Sequence, residues 1–165
     1  MPSKTYLSIN NHKYDNIIHK SSYIIIFIGL EELNNTKTIN KVTGDFTKNS
    51  AKNGGAVYNA NLTINFVAED GKNITFSGNY VTDESGNGGA IFNATSGTVG
   101  LYASADHSIT FTGDTTGLPS TAKNVDSIHN INILNINGDG TITPYTGTVN
   151  LYNVTGTGIT NIYGG

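Results

Sequence analysis

The chain of 165 residues is long enough for one domain with a modest core. It has no cysteine, which excludes disulfides, thiolate metal sites and a cysteine nucleophile, and no arginine, the usual bidentate binder of carboxylates and phosphates. The net charge is −3 and the nine lysines are scattered, so no nucleic-acid partner is expected. Twenty glycines and only 13% charged residues are typical of a turn-rich β protein.

Residues 1–40 lack the repeat found later and are interpreted as a separate N-terminal segment. Lys4, Lys13 and Lys20 precede an apolar run at 23–30, an order typical of a secretory signal. The run has no small-residue cleavage site after it, and it is shorter than the roughly 20 residues that cross a bilayer as a helix. Two interpretations stay open: a strand that caps the following domain, or a degenerate leader.

Residues 41–165 contain a two-part motif that occurs twice. The first part is Phe-x-x-Asn, and the second is Gly-Gly-Ala followed by Val or Ile. The motif residues are Phe46, Asn49, Gly54, Gly55 and Ala56 in the first copy and Phe76, Asn79, Gly88, Gly89 and Ala90 in the second. The second Gly-Gly-Ala begins 34 residues after the first, and a period of this size is typical of stacked repeats.

Short runs that alternate apolar and polar residues accompany the motif and predict strands with one buried face. These runs are Leu62-Thr-Ile64-Asn-Phe66, Ile74-Thr-Phe76-Ser, Ile131-Asn-Ile133 and Val149-Asn-Leu151. The run at 147–152 echoes the run at 97–102, which indicates that the coils continue toward the C-terminus. No segment of the repeat region has a sustained helical period. The sequence therefore predicts an all-β domain over residues 41–165, built as a parallel β-solenoid.

Each motif residue has a structural interpretation. The two phenylalanines are expected to point into the coil and to stack on the next rung. The two asparagines are expected at turns, where an amide bonds backbone, tolerates left-handed geometry and forms ladders between coils. The glycine pairs permit a sharp bend with close backbone approach, and the alanines fit a narrow interior corner. The motif is therefore predicted to be structural rather than ligand-binding.

The pairing of Phe-x-x-Asn with Gly-Gly-Ala-(Ile/Val) resembles the repeats of polymorphic outer membrane proteins first recognised in chlamydiae. It is also similar to repeats in adhesin-like autotransporter passengers. The likeness covers roughly residues 44–94 and continues weakly to Gly113, where Phe111-Thr-Gly-Asp114 has Asp in place of Asn. The resemblance implies a short right-handed parallel β-helix.

The resemblance also carries expectations about function and location. It implies an extracellular or cell-surface protein, associated with the outer membrane, that acts in adhesion. The expected partner is a protein or glycan on the surface of a host or neighbouring cell. Family passengers are carried by a C-terminal barrel, and no series of amphipathic ten-residue strands follows Gly113. We therefore expect a fragment of an autotransporter-like passenger.

Right-handed β-helices also include pectate lyases, polygalacturonases and phage tailspike enzymes, so a carbohydrate-active enzyme is an alternative. A purely structural solenoid segment is another. Glycoside hydrolysis normally needs two convergent carboxylates. The acidic pairs Glu69-Asp70 and Asp83-Glu84 lie in turns rich in Gly and Asn, and adjacent strand residues face opposite ways. We predict no catalytic residue.

No metal site, cofactor site or membrane-spanning segment is predicted within this chain. The histidines at 12, 19, 107 and 129 have no metal-ligand spacing. The run Asn137-Gly-Asp139-Gly-Thr lacks the alternating carboxylates and the closing Glu of a calcium loop, and it is interpreted as a turn.

Overall fold

A computed structural model describes residues 6–8, 17–18, 25–27 and 38–164. All the regular secondary structure within these residues is β-strand. In chain order the strands are β1 (Tyr6–Ser8), β2 (Ile17–Ile18), β3 (Ile25–Phe27), β4 (Thr38–Thr43), β5 (Phe46–Thr47), β6 (Ser50–Ala51), β7 (Val57–Asn59), β8 (Thr63–Ala68), β9 (Ile74–Ser77), β10 (Tyr80–Val81), β11 (Ile91–Asn93), β12 (Thr98–Ala103), β13 (Ser108–Phe111), β14 (Ser127–Asn130), β15 (Ile133–Ile136), β16 (Thr148–Asn150), β17 (Asn153–Thr155) and β18 (Ile159–Ile162).

Three parallel sheets form the walls of the domain. Sheet 1 has the order β2-β4-β8-β12-β15-β18, sheet 2 has β5-β9-β13-β16, and sheet 3 has β7-β11-β14-β17. Successive long strands of the chain fall in different sheets, and each pairs in parallel with the strand one coil later. Two smaller parallel pairs are β6–β10 and β1–β3. The prediction of an all-β chain with stacked parallel strands is confirmed, whereas the hand of the coil stays a prediction.

The interior is built of columns in which equivalent side chains stack from coil to coil. The ring of Phe76 lies between Phe46 and Phe111, with centroid distances of 4.6 and 4.3 Å and nearly parallel planes. Phe66 meets Phe46 and Phe76 edge-on at 5.7 and 5.5 Å. Its own column continues through Leu101 in register. These contacts keep adjacent coils in register, because the buried rings pack against rings of the neighbouring coil.

Alternation predicted the buried face of β8 and β9 correctly. Ile64 and Phe66 are buried in β8, as are Ile74 and Phe76 in β9. The intervening residues Thr63, Asn65 and Thr75 are only half-buried, whereas Val67, near the end of β8, is buried. Each of these strands therefore has one face toward the core and one toward solvent.

The run at Ile131-Asn-Ile133 was assigned the wrong phase. In β15 the buried apolar residues are Leu134 and Ile136, whereas Ile131 and Ile133 are only half-buried. Ile133 pairs with Thr98 in an outward row of sheet 1. A shift of one residue exchanges the two faces of a strand, and the pairing with β12 fixes this register.

The sequence echo between 97–102 and 147–152 does not mark equivalent positions. The first run lies in β12 of sheet 1, and the second contains β16 of sheet 2, where Val149 pairs with Ile109. The reason is that any short strand with the same face pattern matches locally, wherever it lies in the coil. The expectation that strands continue toward the C-terminus is confirmed, because β15 to β18 all pair onto the preceding coil.

The predicted boundary between residues 40 and 41 falls inside β4. Thr38 and Ile39 already pair with Thr63 and Ile64 of β8. Earlier in the chain, β2 pairs with β4, and β3 pairs with β1 and lies beside β7. Only 25–27 of the apolar run at 23–30 are among the described residues. The division at residue 40 and the choice between cap and leader therefore stay predictions.

Replacing Phe76 with Ala is expected to lower the free energy of unfolding by about 3–5 kcal/mol, because it opens a cavity between two stacked rings. The matched surface change, Asp83→Ala, removes a side chain that bonds only Ser85 of its own turn and should have an effect close to zero. Denaturant unfolding of both variants measures the difference. Small and equal effects would mean that the coil assignment is wrong.

Candidate binding face

All ten predicted motif residues are buried, and the asparagines among them form part of an interior ladder. Asn49 Nδ2 donates to Asn79 Oδ1 at 2.8 Å, and Asn79 Nδ2 donates to the carbonyl oxygen of Phe46 at 2.8 Å. These asparagines do not themselves adopt left-handed geometry. The preceding residues do so instead, Lys48 with φ 54° and Gly78 with φ 69°. The asparagines are thereby free to turn inward and bond across coils.

The glycine pairs lie where one coil approaches the next. Gly54 and Gly88 have φ of 61° and 68°, in the left-handed region that favours glycine. A Cβ on Gly55 would lie 2.1 Å from the carbonyl oxygen of Gly89 and 2.5 Å from that of Tyr80. The alanines that follow, Ala56 among them, are fully buried. The motif therefore occupies the interior and presents no side chain to a ligand on the lateral surface.

The third rung of the asparagine ladder is Asp126, which the sequence analysis missed. Asp114, which follows Phe111 at the spacing of the motif asparagine, does not take this place, because it is exposed and accepts a hydrogen bond from Thr116 N at 2.9 Å in its own turn. The chain leaves the coil as a loop after Phe111, pairs with Val81 through an antiparallel bridge at Lys123, and rejoins the ladder at Asp126. An insertion of this kind is tolerated because both ends of the loop stay in register.

Asp126 is fully buried and accepts five hydrogen bonds. Its Oδ1 accepts from Asn79 N at 2.8 Å and Asn79 Nδ2 at 2.9 Å. Its Oδ2 accepts from Gly78 N at 2.8 Å, Gly113 N at 3.0 Å and Thr112 Oγ1 at 3.1 Å. Five donors stabilise a carboxylate that has no cationic partner among the described residues. The Asp126 carboxylate thus links the coil that contains Gly78 and Asn79 to the start of the loop at Thr112 and Gly113.

A second asparagine ladder follows the Gly-Gly-Ala segments. Asn59 Nδ2 donates to Asn93 Oδ1, and Asn93 Nδ2 donates to Asn130 Oδ1, both at 2.8 Å. All three residues are buried, and Asn59 also closes its turn by accepting from Leu62 N at 2.9 Å. The sequence contained the signal for the first two, since Asn59 and Asn93 have the same spacing as the glycine pairs.

The outward side of sheet 3 carries a stacked row of rings, which we call the aromatic row: Tyr58, Phe92 and His129. Tyr58 and Phe92 stack with centroids 5.0 Å apart and planes 4° from parallel. Phe92 and His129 follow at 5.2 Å and 19°. All three are half-buried, and burial lowers the pKa of His129, so its imidazole is neutral at neutral pH. His129 Nδ1 lies 2.9 Å from Thr155 Oγ1.

The geometry of the aromatic row determines which contacts it can make. Because the rings stack along the axis of the coils, Phe92 has a ring on each face, and Tyr58 and His129 each have one face covered by Phe92. A sugar ring stacks on an aromatic face rather than on a row of edges. The row offers an apolar strip ending in an imidazole, which suits apolar and hydrogen-bonding groups of a protein surface.

The outward sides of the other two sheets differ in character. Sheet 2 presents small hydroxyl and amide groups, with Asn150 Nδ2 donating to Thr110 Oγ1 at 3.3 Å. On sheet 1, Tyr102 is buried and stacks on Tyr145 at 5.2 Å, so the loop 137–147 covers part of that side. Burial raises the pKa of Tyr102 to about 12, and the phenol stays protonated.

The acidic pairs singled out in the sequence are engaged locally. Lys41 Nζ lies 2.6 Å from Glu69 Oε1 and 3.1 Å from Asp70 Oδ2. Asp83 accepts from the hydroxyl and the backbone N–H of Ser85, and these bonds lower its pKa. Neither arrangement is a pair of carboxylates converging on one bond.

His107 and Asp139 each accept a hydrogen bond from a backbone N–H. Gly71 N donates to His107 Nε2 at 2.8 Å, and Asp139 Oδ1 accepts from Thr141 N at 2.8 Å within its turn. His12 and His19 lie outside the described residues. In the part of the chain that the structure describes, no three His, Asp or Glu side chains are grouped to hold a metal ion.

The sequence model of the Chlamydia polymorphic membrane protein repeat matches residues 43–60 and 73–94. The model therefore matches this chain at two sites. The matched segments contain both copies of the motif and the first two rings of the aromatic row. This repeat family is associated with the outer membrane and cell surface, and it is not a known enzyme family.

Two further findings bear on relatives and on membrane insertion. No curated protein and no solved structure gives a significant match. Across the described ranges, no helix has the length and apolar character needed to cross a membrane.

Asp126→Ala is expected to lower the free energy of unfolding by at least about 3 kcal/mol, because several buried donors lose their acceptor and each costs about 1–3 kcal/mol. Asp126→Asn keeps one acceptor oxygen, so its free energy of unfolding should lie between those of Asp126→Ala and the parent chain. Asp114→Ala is the matched control, and its free energy of unfolding should stay close to that of the parent chain. Denaturant melts measure all three, and equal effects of the two Ala variants would contradict the ladder assignment.

Proposed function

We propose that this chain is a segment of a surface-exposed or secreted β-helical passenger of the autotransporter type, acting in adhesion through the aromatic row. The double match to a repeat of surface-associated proteins is the observation that supports this location. The partner that we propose is a protein on the surface of a host or neighbouring cell. The covered ring faces favour a protein over a glycan.

Burial of the motif supports a binding role for the sides of the solenoid. The residues that hold the coils together point inward, and binding in such scaffolds resides on the outward rows and loops that the stacked core keeps rigid. Tyr58 and Phe92 each follow directly after a buried motif position, Val57 and Ile91. The position of the first two rings of the aromatic row is thus determined by the repeat.

The carbohydrate-active alternative has no observation in its favour. A retaining or inverting glycosidase needs two carboxyl groups facing one substrate bond. Glu69 and Asp70 bind Lys41, and Asp83 bonds its own turn.

The test is binding of the purified chain to intact animal and bacterial cells, before and after treatment of the cells with protease or glycosidases. We expect binding that protease removes and glycosidases leave in place. Phe92→Lys should weaken it by about tenfold or more, since a charge would replace the centre of an apolar strip. Thr110→Lys, at an equally half-buried outward position of sheet 2, is the matched control.

Circular dichroism of both variants confirms that the fold is retained. Equal binding by the two lysine variants would exclude the aromatic row as the contact. Loss of binding only after glycosidase treatment would assign the partner to glycans instead, and absence of binding to every cell type would contradict adhesion.

A further inference from the structure

Asparagine is followed by glycine three times in the chain, at Asn53-Gly54, Asn87-Gly88 and Asn137-Gly138. In this dipeptide the main-chain nitrogen of glycine can attack the side-chain amide of asparagine, because glycine has no Cβ to hinder the approach. The attack requires a glycine N–H that makes no hydrogen bond and a side-chain amide that is free to turn toward it. The three dipeptides differ in both respects.

The first dipeptide is held by the next coil. Asn53 Oδ1 accepts a hydrogen bond from Asn87 N at 2.8 Å, and Gly54 N donates to Asn87 O at 3.1 Å. Attack of Gly54 N on the Asn53 amide would have to break both hydrogen bonds first, and each broken bond makes the reactive geometry rarer. We therefore expect Asn53 to react slowly in the folded chain.

The third dipeptide is held inside the coil. Asn137 is fully buried, its Oδ1 accepts from Ala103 N, and its Nδ2 donates to Gly147 O, both at 2.8 Å. Turning the amide toward Gly138 N would leave buried donors and acceptors without partners. We therefore expect Asn137 to react slowly as well.

The second dipeptide has its reacting groups free. Among the described residues, no group accepts a hydrogen bond from Gly88 N and none donates to Asn87 Oδ1. Asn87 is half-buried, and its side chain makes one hydrogen bond, from Nδ2 to Ser85 O at 3.3 Å, which is longer than the usual range. The next main-chain nitrogen, Gly89 N, donates to Ser127 Oγ. Asn87-Gly88 thus meets both requirements.

We propose that Asn87 is a site of spontaneous deamidation in the folded protein. Gly88 N forms a bond to Asn87 Cγ, which closes a five-membered succinimide ring. The side-chain nitrogen of Asn87 leaves as ammonia and takes the proton of Gly88 N with it. Water then opens the ring at either carbonyl carbon, giving aspartate or isoaspartate, in which the main chain runs through Cγ. The product carries one additional negative charge, and water is the only co-reactant.

Isoaspartate at position 87 would disturb the contact between two coils. It lengthens the main chain by one methylene group directly before Gly88 and Gly89, where the backbones are already close. A Cβ on Gly89 would lie 1.8 Å from Asn124 O, so there is no room for an added carbon unless the coils move apart. We therefore expect the isoaspartate form to melt at a lower temperature than the parent chain.

Peptide mapping by mass spectrometry, after incubation of the whole folded chain in mildly alkaline buffer, tests the proposal. Deamidation at Asn87 should be at least about tenfold faster than at Asn53 or Asn137, because those two must first break hydrogen bonds. Incubation in denaturant is the matched control, since unfolding removes those bonds and should make the three rates similar. Asn87→Gln should abolish the fast conversion and leave the other two sites unchanged.

Two results would overturn the proposal: conversion of Asn53 as fast as that of Asn87 in the folded chain, or an unchanged Asn87 in the folded chain while the denatured chain converts. Thermal melts separate the effect of the longer main chain from the effect of charge. Asn87→Asp has the added charge without the added methylene, so it should melt at a higher temperature than the isoaspartate form. Equal melting temperatures would contradict the predicted crowding at Gly89.

Discussion

The ring of Phe76 lies between the rings of Phe46 and Phe111, and the other interior columns are held in step with this one. A parallel coil cannot shift by one residue without turning its buried face outward. The aromatic column and the two amide ladders fix that register from inside. Outward residues also make contacts between coils, such as the stack of Tyr58 on Phe92, in addition to these buried columns and ladders. The same register aligns side chains such as Tyr58 and Phe92 on the outward side of sheet 3.

Much of the fold could be predicted from the sequence where local and long-range signals agree. In β8 and β9 the alternation and the motif indicate the same buried face, and the structure has that face. The glycine pairs indicated close approach of two backbones, and the short distance from Gly55 to Gly89 has this geometry. The repeat spacing was informative because parallel pairing brings together residues one coil apart, as in Thr63 with Thr98.

The rest depends on loop length and tertiary register, which a single sequence does not reveal. Asp126 could not be identified as a ladder residue, since an inserted loop separates it from Phe111 and destroys the spacing. The phase of β15 is set by pairing with β12, which overrides the apolar run that begins at Ile131. The aromatic row was not predicted for another reason. Tyr58 and Phe92 have the pattern of ordinary strand residues, and His129 joins them only because β14 pairs with β11.

Cross-linking tests the central claim of stacked, in-register coils most directly. The chain has no cysteine, so Thr63→Cys with Thr98→Cys introduces one possible disulfide between adjacent rungs of sheet 1. Paired parallel strands lie about 4.8 Å apart, within the Cα separation of about 4.4–6.8 Å that a disulfide spans. Oxidation should close an intramolecular bond in this variant and leave the control pair, Thr63→Cys with Thr110→Cys on different sheets, reduced. Failure of the first pair to close, or equal closure of both pairs, would contradict the stacked register.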